Sequence, residues 1–332
     1  MHVLLIGGNR FVGRLLTWRL LAGGHRITLL NRGQLGDPFG DRVERIRCDR
    51  TSPEFEQRLA DRTFDAVVDL AAFTGEDGRR AAALFQGRTG HYLMISTGQV
   101  YLVRQGCPVP SREQDYDGPV MERPADPDEV REWEYGVWKR DCEDALATAG
   151  QGGFPATRLR LPMVNGPLDY HRRLEAYLWR LVEGGPVILP DGGTHRVRHV
   201  DGGEVARFVC AILGRTEAQG RAFNLAQDEA PTLAELVAML RDRLGSRSQL
   251  VPVPSTALRA AGLDPTLVSP FSGRWMSFLD PSLARAELRF AHAPLAEGLA
   301  AAVAGFLSHT PEDRPPGLAR RQEELALLRR GA

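Results

Sequence analysis

The run Gly7-Gly8-Asn9-Arg10-Phe11-Val12-Gly13 constrains this chain more than any other stretch of it. It joins an apolar segment, His2–Ile6, to one in which Phe11, Val12, Leu15, Leu16 and Leu20 recur at helical spacing. Glycines at a strand-to-helix junction let the chain turn tightly and bring its amides close to an anion. The helix N-terminus adds N–H donors and the positive end of its dipole. A dinucleotide pyrophosphate fits such a turn, which makes Gly7 to Gly13 its expected contacts; an ordinary glycine-rich connector is the plainer alternative. The next strand, over 26–30, ends at Asn31-Arg32, where NAD binders usually carry an acid for the ribose 2′-hydroxyl. A guanidinium suits a 2′-phosphate instead, and Arg10 adds a second one, so the cofactor reads as NAD(P) with a lean toward NADP(H). An Arg32 that merely faces solvent is the simpler alternative.

Strand-like and helix-like segments alternate through the first half. Strands are expected over 43–47, 65–70, 91–96 and 157–161, with helices around 79–85 and from Glu132 to Gly150. This pattern predicts an α/β, Rossmann-type doubly wound parallel sheet over residues 1–165, rejoined by a strand near 222–225. Residues 166–309 read mainly as a smaller C-terminal α+β substrate-binding part, with helices near 172–183, 204–213, 233–244 and 295–307. Residues 310–332 read as a Pro-rich link and a terminal helix that lies on the body or makes a subunit contact.

Acidic and basic residues balance at 42 each, which argues against nucleic-acid or membrane-surface binding by bulk charge. No apolar run approaches the roughly 20 residues of a membrane span, and no basic leader precedes the first glycines, so a cytoplasmic location is expected. Four cysteines without CxxC spacing and eight histidines without an HExxH pair predict neither a disulfide framework nor a metal site.

A chain with 41 arginines has a single lysine, Lys139, and it follows Tyr135 by four residues. That spacing places both on one helical face. A phenol, with its pKa near 10, is a poor base at neutral pH. A neighbouring ammonium favours the phenolate, which can then exchange a proton with a hydroxyl or carbonyl. With six tyrosines present, chance would put the only lysine at this offset in about 2% of placements, so a functional pair is the better reading. Ser96-Thr97-Gly98-Gln99 follows an apolar strand at its carboxyl end, where Thr97 can hydrogen-bond a reacting oxygen; a turn-capping Thr would look the same.

Together these segments resemble the extended short-chain dehydrogenase/reductase family, often called NAD-dependent epimerase/dehydratase, over nearly the whole chain. GGNRFVG is similar to the family's TGGxGFIG turn, with Arg10 in place of the middle glycine. Asp49 resembles the acid that contacts adenine, and Leu70-Ala71-Ala72 the LAA segment beside the cofactor. STGQVY resembles SSxxVYG, which implies that Thr97 is the catalytic hydroxyl. EYGVWK supplies the Tyr/Lys pair. RLPMVNGP resembles RPxxVYGP, so Pro162, Met163 and Val164 are implied near the nicotinamide. The GGxRFxG turn with its NRG sequence is most similar to a branch containing chloroplast stem-loop-binding proteins.

The resemblance implies an NAD(P)-dependent oxidoreductase or epimerase acting on a hydroxyl or keto carbon of a sugar or nucleotide-sugar. Tyr135 would be the general acid/base, Thr97 would orient the reacting oxygen, and Lys139 would lower the Tyr135 pKa and hold the ribose. Gln99, Arg196, Arg198 and His199 are implied as substrate contacts, the last three facing a phosphate. A homodimer through the helices at 79–85 and around Tyr135 is also implied. Two departures qualify this picture. Gly98-Gln99 replaces the Asp-Glu pair that 4,6-dehydratases carry, and Met163 replaces an Asn common in nucleotide-sugar binders. The other readings are an NADPH-dependent reductase of a non-sugar metabolite and a non-catalytic RNA- or nucleotide-binding relative. The retained Tyr/Lys pair and the balanced charge favour the enzyme.

Overall fold

The computed structural model describes residues 1–330; Gly331 and Ala332, the end of the expected tail, lie outside the described residues. In chain order the elements are β1 (His2–Ile6), α1 (Phe11–Ala22), β2 (Arg26–Asn31), β3 (Glu44–Arg47), α2 (Glu54–Leu59), β4 (Ala66–Asp69), α3 (Gly75–Phe85), β5 (Tyr92–Thr97), α4 (Gln99–Leu102), α5 (Pro127–Gln151), β6 (Ala156–Leu161) and β7 (Met163–Asn165). There follow α6 (Arg173–Glu183), β8 (Val187–Pro190), β9 (His199–Asp201), α7 (Gly202–Ile212), β10 (Ala222–Asn224), α8 (Leu233–Leu244), β11 (Leu250–Val253), α9 (Ser255–Ala260), α10 (Pro265–Val268), α11 (Ser282–Leu288), α12 (Leu295–Ser308) and α13 (Arg321–Arg330).

Seven strands form one parallel sheet in the order β10-β6-β5-β4-β1-β2-β3. This is the doubly wound, Rossmann-type sheet. Its order reverses between β1 and β4, the place where such sheets open a crevice at their carboxyl ends. Ile6 lies opposite both Leu30 and Asp69, so the chain leaves β1, β2 and β4 at one level. Leu4, Ile6, Leu30, Val67, Tyr92 and Met94 share a core with Phe55 of α2, Phe85 of α3 and Leu146 of α5. A Cβ on Gly78 would sit 2.9 Å from the Cys142 carbonyl, so only glycine lets α3 and α5 cross this closely. The helix α5 starts at Pro127, ahead of the expected Glu132, because Asp126 caps it and proline suits the first helical position. The short helices α2 and α4, six and four residues long, are too brief to show a periodicity in sequence.

The chain divides into two compact units. The first comprises Met1–Met163, Gly202–Ala226 and Ser277–Ala291; the second comprises Val164–Asp201, Gln227–Met276 and the chain from His292 on. Within the second, β8 pairs with β11 and β7 with β9. Leu174, Tyr177, Leu178 and Leu181 form the apolar stripe of α6 and pack with Leu236, Val237 and Leu240 of α8 and Val303 and Phe306 of α12. The Pro-rich link turns through a 3₁₀ segment at Pro316–Arg320 into α13. There Glu324 pairs with Arg180 of α6 at 2.6 Å, both side chains fully buried. Among the described residues no helix is long and apolar enough to cross a membrane.

Candidate active site

The glycine turn is shaped by the absence of side chains. Gly7 has φ +90°, and a Cβ on Gly13 would lie 2.8 Å from the Gly7 carbonyl, while one on Gly8 would meet Leu29 at 2.7 Å. The helix α1 that follows has no side-chain cap from Arg10 and no acid in its first turn, so its positive end stays available to an anion. Phe11 and Val12 are buried at the start of α1, Asn9 donates to the Leu35 carbonyl at 3.1 Å, and Arg10 is exposed. At the end of β2, Asn31 Oδ1 accepts from the Gly33 amide at 2.9 Å and Arg32 is exposed. Asp49, past β3, accepts from the Thr51 amide and hydroxyl; these bonds, helped by the charge of Arg32, hold its carboxyl below the usual range. The tight turn and the uncapped start of α1 together fit the pyrophosphate of a dinucleotide.

The helix α5 presents residues 132, 135, 136, 139 and 143 at three- and four-residue spacing toward the carboxyl ends of the strands. Glu132 accepts Gln99 Nε2 on its carbonyl at 3.1 Å and on its carboxylate at 2.8 Å. Gly136 lets the helix approach α4, since a Cβ there would lie 2.6 Å from Val103 and 2.9 Å from the Gln99 carbonyl. Lys139 is buried and donates to the Ala72 carbonyl at 2.7 Å and the Ile95 carbonyl at 3.0 Å. Burial pushes its ammonium below the ordinary lysine range, against the opposing pull of Cys142, Asp69 and Glu143. The Phe73 ring lies 5.2 Å from that of Tyr135 and 5.7 Å from Lys139 Nζ. Leu70, half-buried, Ala71, exposed, and Ala72, buried, form the segment leading to Phe73. Thr97 ends β5 half-buried, its hydroxyl accepting from the Gln99 amide at 3.2 Å. Pro162 is buried just after β6, with Met163 half-buried beside it. Val164, half-buried, belongs to the second unit.

Two buried ionic clusters support this face, and the sequence pattern does not show their pairing, because an isolated charge does not reveal its partner. In one, Arg160 of β6 forks onto Glu143 at 2.6–3.1 Å, while Ser96 donates to the same carboxylate at 2.5 Å. Burial opposes ionisation of Glu143, but the Arg160 charge prevails and holds it below the usual range. In the other, Arg50 bridges Asp69 and Asp77. A carboxylate ending the otherwise apolar β4 was the one local signal of it.

In the second unit, Arg196 is exposed and donates to the Ala230 carbonyl at 2.7 Å, and Arg198 donates to the Asp228 carbonyl at 3.2 Å. His199 is buried, with Nδ1 against the Asn165 amide at 2.7 Å. Burial drives its pKa down to about 3, so the ring is neutral near pH 7.

The sheet order and the glycine turn at its switch point define a Rossmann-type dinucleotide-binding fold. The chain belongs to the NAD dependent epimerase/dehydratase family, whose model matches residues 3–86 and 79–226. Over 248 residues it is 24% identical to the chloroplast stem-loop binding protein of 41 kDa b from Arabidopsis thaliana; the match covers 69% of this chain and 60% of that protein's length. It is similar in fold to the UDP-glucose 4-epimerase of Thermotoga maritima, solved with UDP-glucose, at 18% identity and TM-score 0.72, covering 94% of this chain and 100% of that one. The dTDP-glucose 4,6-dehydratase of Bacillus anthracis, solved with NAD, superposes with TM-score 0.72 at 14% identity, covering 93% and 97%.

Proposed function

We propose that this chain is an NAD(P)-dependent epimerase or dehydrogenase/reductase acting on a hydroxyl or keto carbon of a sugar or nucleotide-sugar. The observation that carries the reading is the placement of the only lysine. Lys139 is buried against the carbonyls of Ala72, past β4, and of Ile95 in β5, one helical turn from Tyr135. The dinucleotide, when bound, supplies the hydride acceptor and donor. Gly7 to Gly13 would hold its pyrophosphate, Asn31, Arg32 and Asp49 its adenosine end, and Leu70 to Ala72, Lys139 and Pro162 to Val164 its nicotinamide half.

Tyr135 takes the proton from the substrate hydroxyl, or returns it to the carbonyl, through its phenolic oxygen. The Lys139 ammonium favours the phenolate during that exchange. Thr97 donates a hydrogen bond to the same substrate oxygen and aligns it with Tyr135. Arg196, Arg198 and His199 are the second unit's candidates for the remote part of the substrate. His199, being neutral, would serve a phosphate only as a hydrogen-bond donor. A homodimer through α3 and α5 and a cytoplasmic location complete the reading.

Elimination of water is disfavoured on steric grounds. A Cβ on Gly98 would lie 2.2 Å from Ser277 Oγ, so this position has no room for the acid that dehydratases carry there. Gln99, at the second position, is buried with its amide turned to Glu132. The balanced charge, 42 acidic against 42 basic residues, and the retained Tyr135–Lys139 pair count against the RNA-binding alternative.

The test is a fluorescence titration of the purified protein with NADH and with NADPH. Binding of either in the micromolar range supports the proposal, and NADPH preference assigns Arg10 and Arg32 to the 2′-phosphate. Absence of binding to both overturns it.

A further inference from the structure

The segment 70–74 would contact the cofactor, carries the carbonyl that receives Lys139, and bears the aromatic ring beside Tyr135. Its conformation is held from one point. At its start, Asp69 is fully buried and accepts from the Ala71 amide at 2.8 Å and from the Tyr92 hydroxyl at 2.7 Å. At its far end, Asp77 accepts from the Phe73 and Thr74 amides, each at 2.9 Å. Arg50 spans the two. Its Nη1 donates to both Asp69 oxygens at 2.7 and 2.6 Å, its Nε lies 3.1 Å from Asp77 Oδ1, and its guanidinium lies over the Phe55 ring at 5.7 Å. Two structural demands therefore meet on one side chain: two buried carboxylates must sit a fixed distance apart, and the loop between them must keep its amides bonded.

We infer that Arg50 is a positioning residue that clamps the segment 70–74, fixing the cofactor-facing backbone and, through the Ala72 carbonyl, the seat of Lys139. A planar fork that reaches two acids at once explains why arginine serves here; a lysine can meet one acid but not both in this geometry. The inference rests on the reading above for what the segment touches. The clamp itself rests only on the contacts of Arg50, Asp69 and Asp77.

The test compares Arg50→Lys and Arg50→Met with Arg180→Lys, which disturbs an equally buried ion pair in the other unit. Hydrogen exchange of unliganded protein is expected to rise at the Ala71, Phe73 and Thr74 amides in both Arg50 variants and to remain at the wild-type level in Arg180→Lys. The dissociation constant of whichever reduced dinucleotide the wild type binds is expected to weaken about tenfold in Arg50→Lys, less than the roughly 10²-fold in rate that a 1 Å misplacement can cost. Arg180→Lys should lower thermal stability without that change. Wild-type exchange over 70–74 in Arg50→Lys overturns the clamp, as does an unchanged dissociation constant. If the wild type binds neither dinucleotide, the proposed function falls while the exchange data still decide the clamp. Should Arg50→Met fail to fold, Arg50→Lys carries the test.

Discussion

Tyr135 is where the proposed chemistry is most exposed to test. Tyr135→Phe keeps the ring beside Phe73 and removes only the phenolic hydroxyl that exchanges the proton. Turnover is expected to fall about 10²- to 10⁴-fold, with the cofactor dissociation constant changed less than about twofold. Steady-state kinetics paired with cofactor titration separates the two, and wild-type turnover would sink the mechanism. Lys139→Arg should fare worse, because a bulkier planar group has to fit where a compact ammonium now meets two carbonyls. That variant is expected to weaken cofactor binding and turnover together. At this scale the spacing of Tyr135 and Lys139 was readable in sequence, since four residues span one helical turn. The partners of Lys139 were not, because Ala72 and Ile95 lie 67 and 44 residues away.

Among the elements, α5 and α13 show how a helix acquires its role from what it meets. The sequence of α5 has no continuous apolar stripe; Gly136, Lys139 and Glu143 lie on its buried face, each matched to a neighbour. Helical periodicity alone therefore reveals α5 as a helix while leaving its packed face ambiguous. The helix α13, RQEELALLRR, is rich in charge, yet Arg321 and Glu324 are buried and Glu324 pairs with Arg180 and Arg321. Arg180→Ala is expected to cost about 3 kcal/mol, because Glu324 then keeps only Arg321 of its two buried guanidinium partners. Urea unfolding would show it, and a loss below about 1 kcal/mol would mean that α13 is peripheral to the second unit.

For the whole molecule, two buried histidines predict how stability responds to acid. Burial lowers the pKa of His91 to about 4 and that of His199 to about 3. In the unfolded chain both titrate near 6.5, so below that pH the unfolded state binds more protons and stability falls as pH falls. Each should cost about 2 kcal/mol between pH 7 and pH 5. Further loss follows below the ordinary carboxylate range, where Glu143 and Asp77, both held below their usual values, become protonated. Urea midpoints measured from pH 8 to pH 5 should show the decline, and a flat profile would mean that these rings are not neutral and enclosed. What the sequence by itself determined was local. The glycine turn, the alternation of strand and helix, and the Tyr135–Lys139 offset follow from backbone sterics and periodicities that repeat within a few residues. The tertiary structure alone decided which strand the returning Ala222–Asn224 pairs with, β6, that Ser277 closes over Gly98, and that Arg50 reaches Asp69 and Asp77. Those contacts join residues far apart in the chain, and whether a charge is paired depends on the water excluded around it, which no local pattern records.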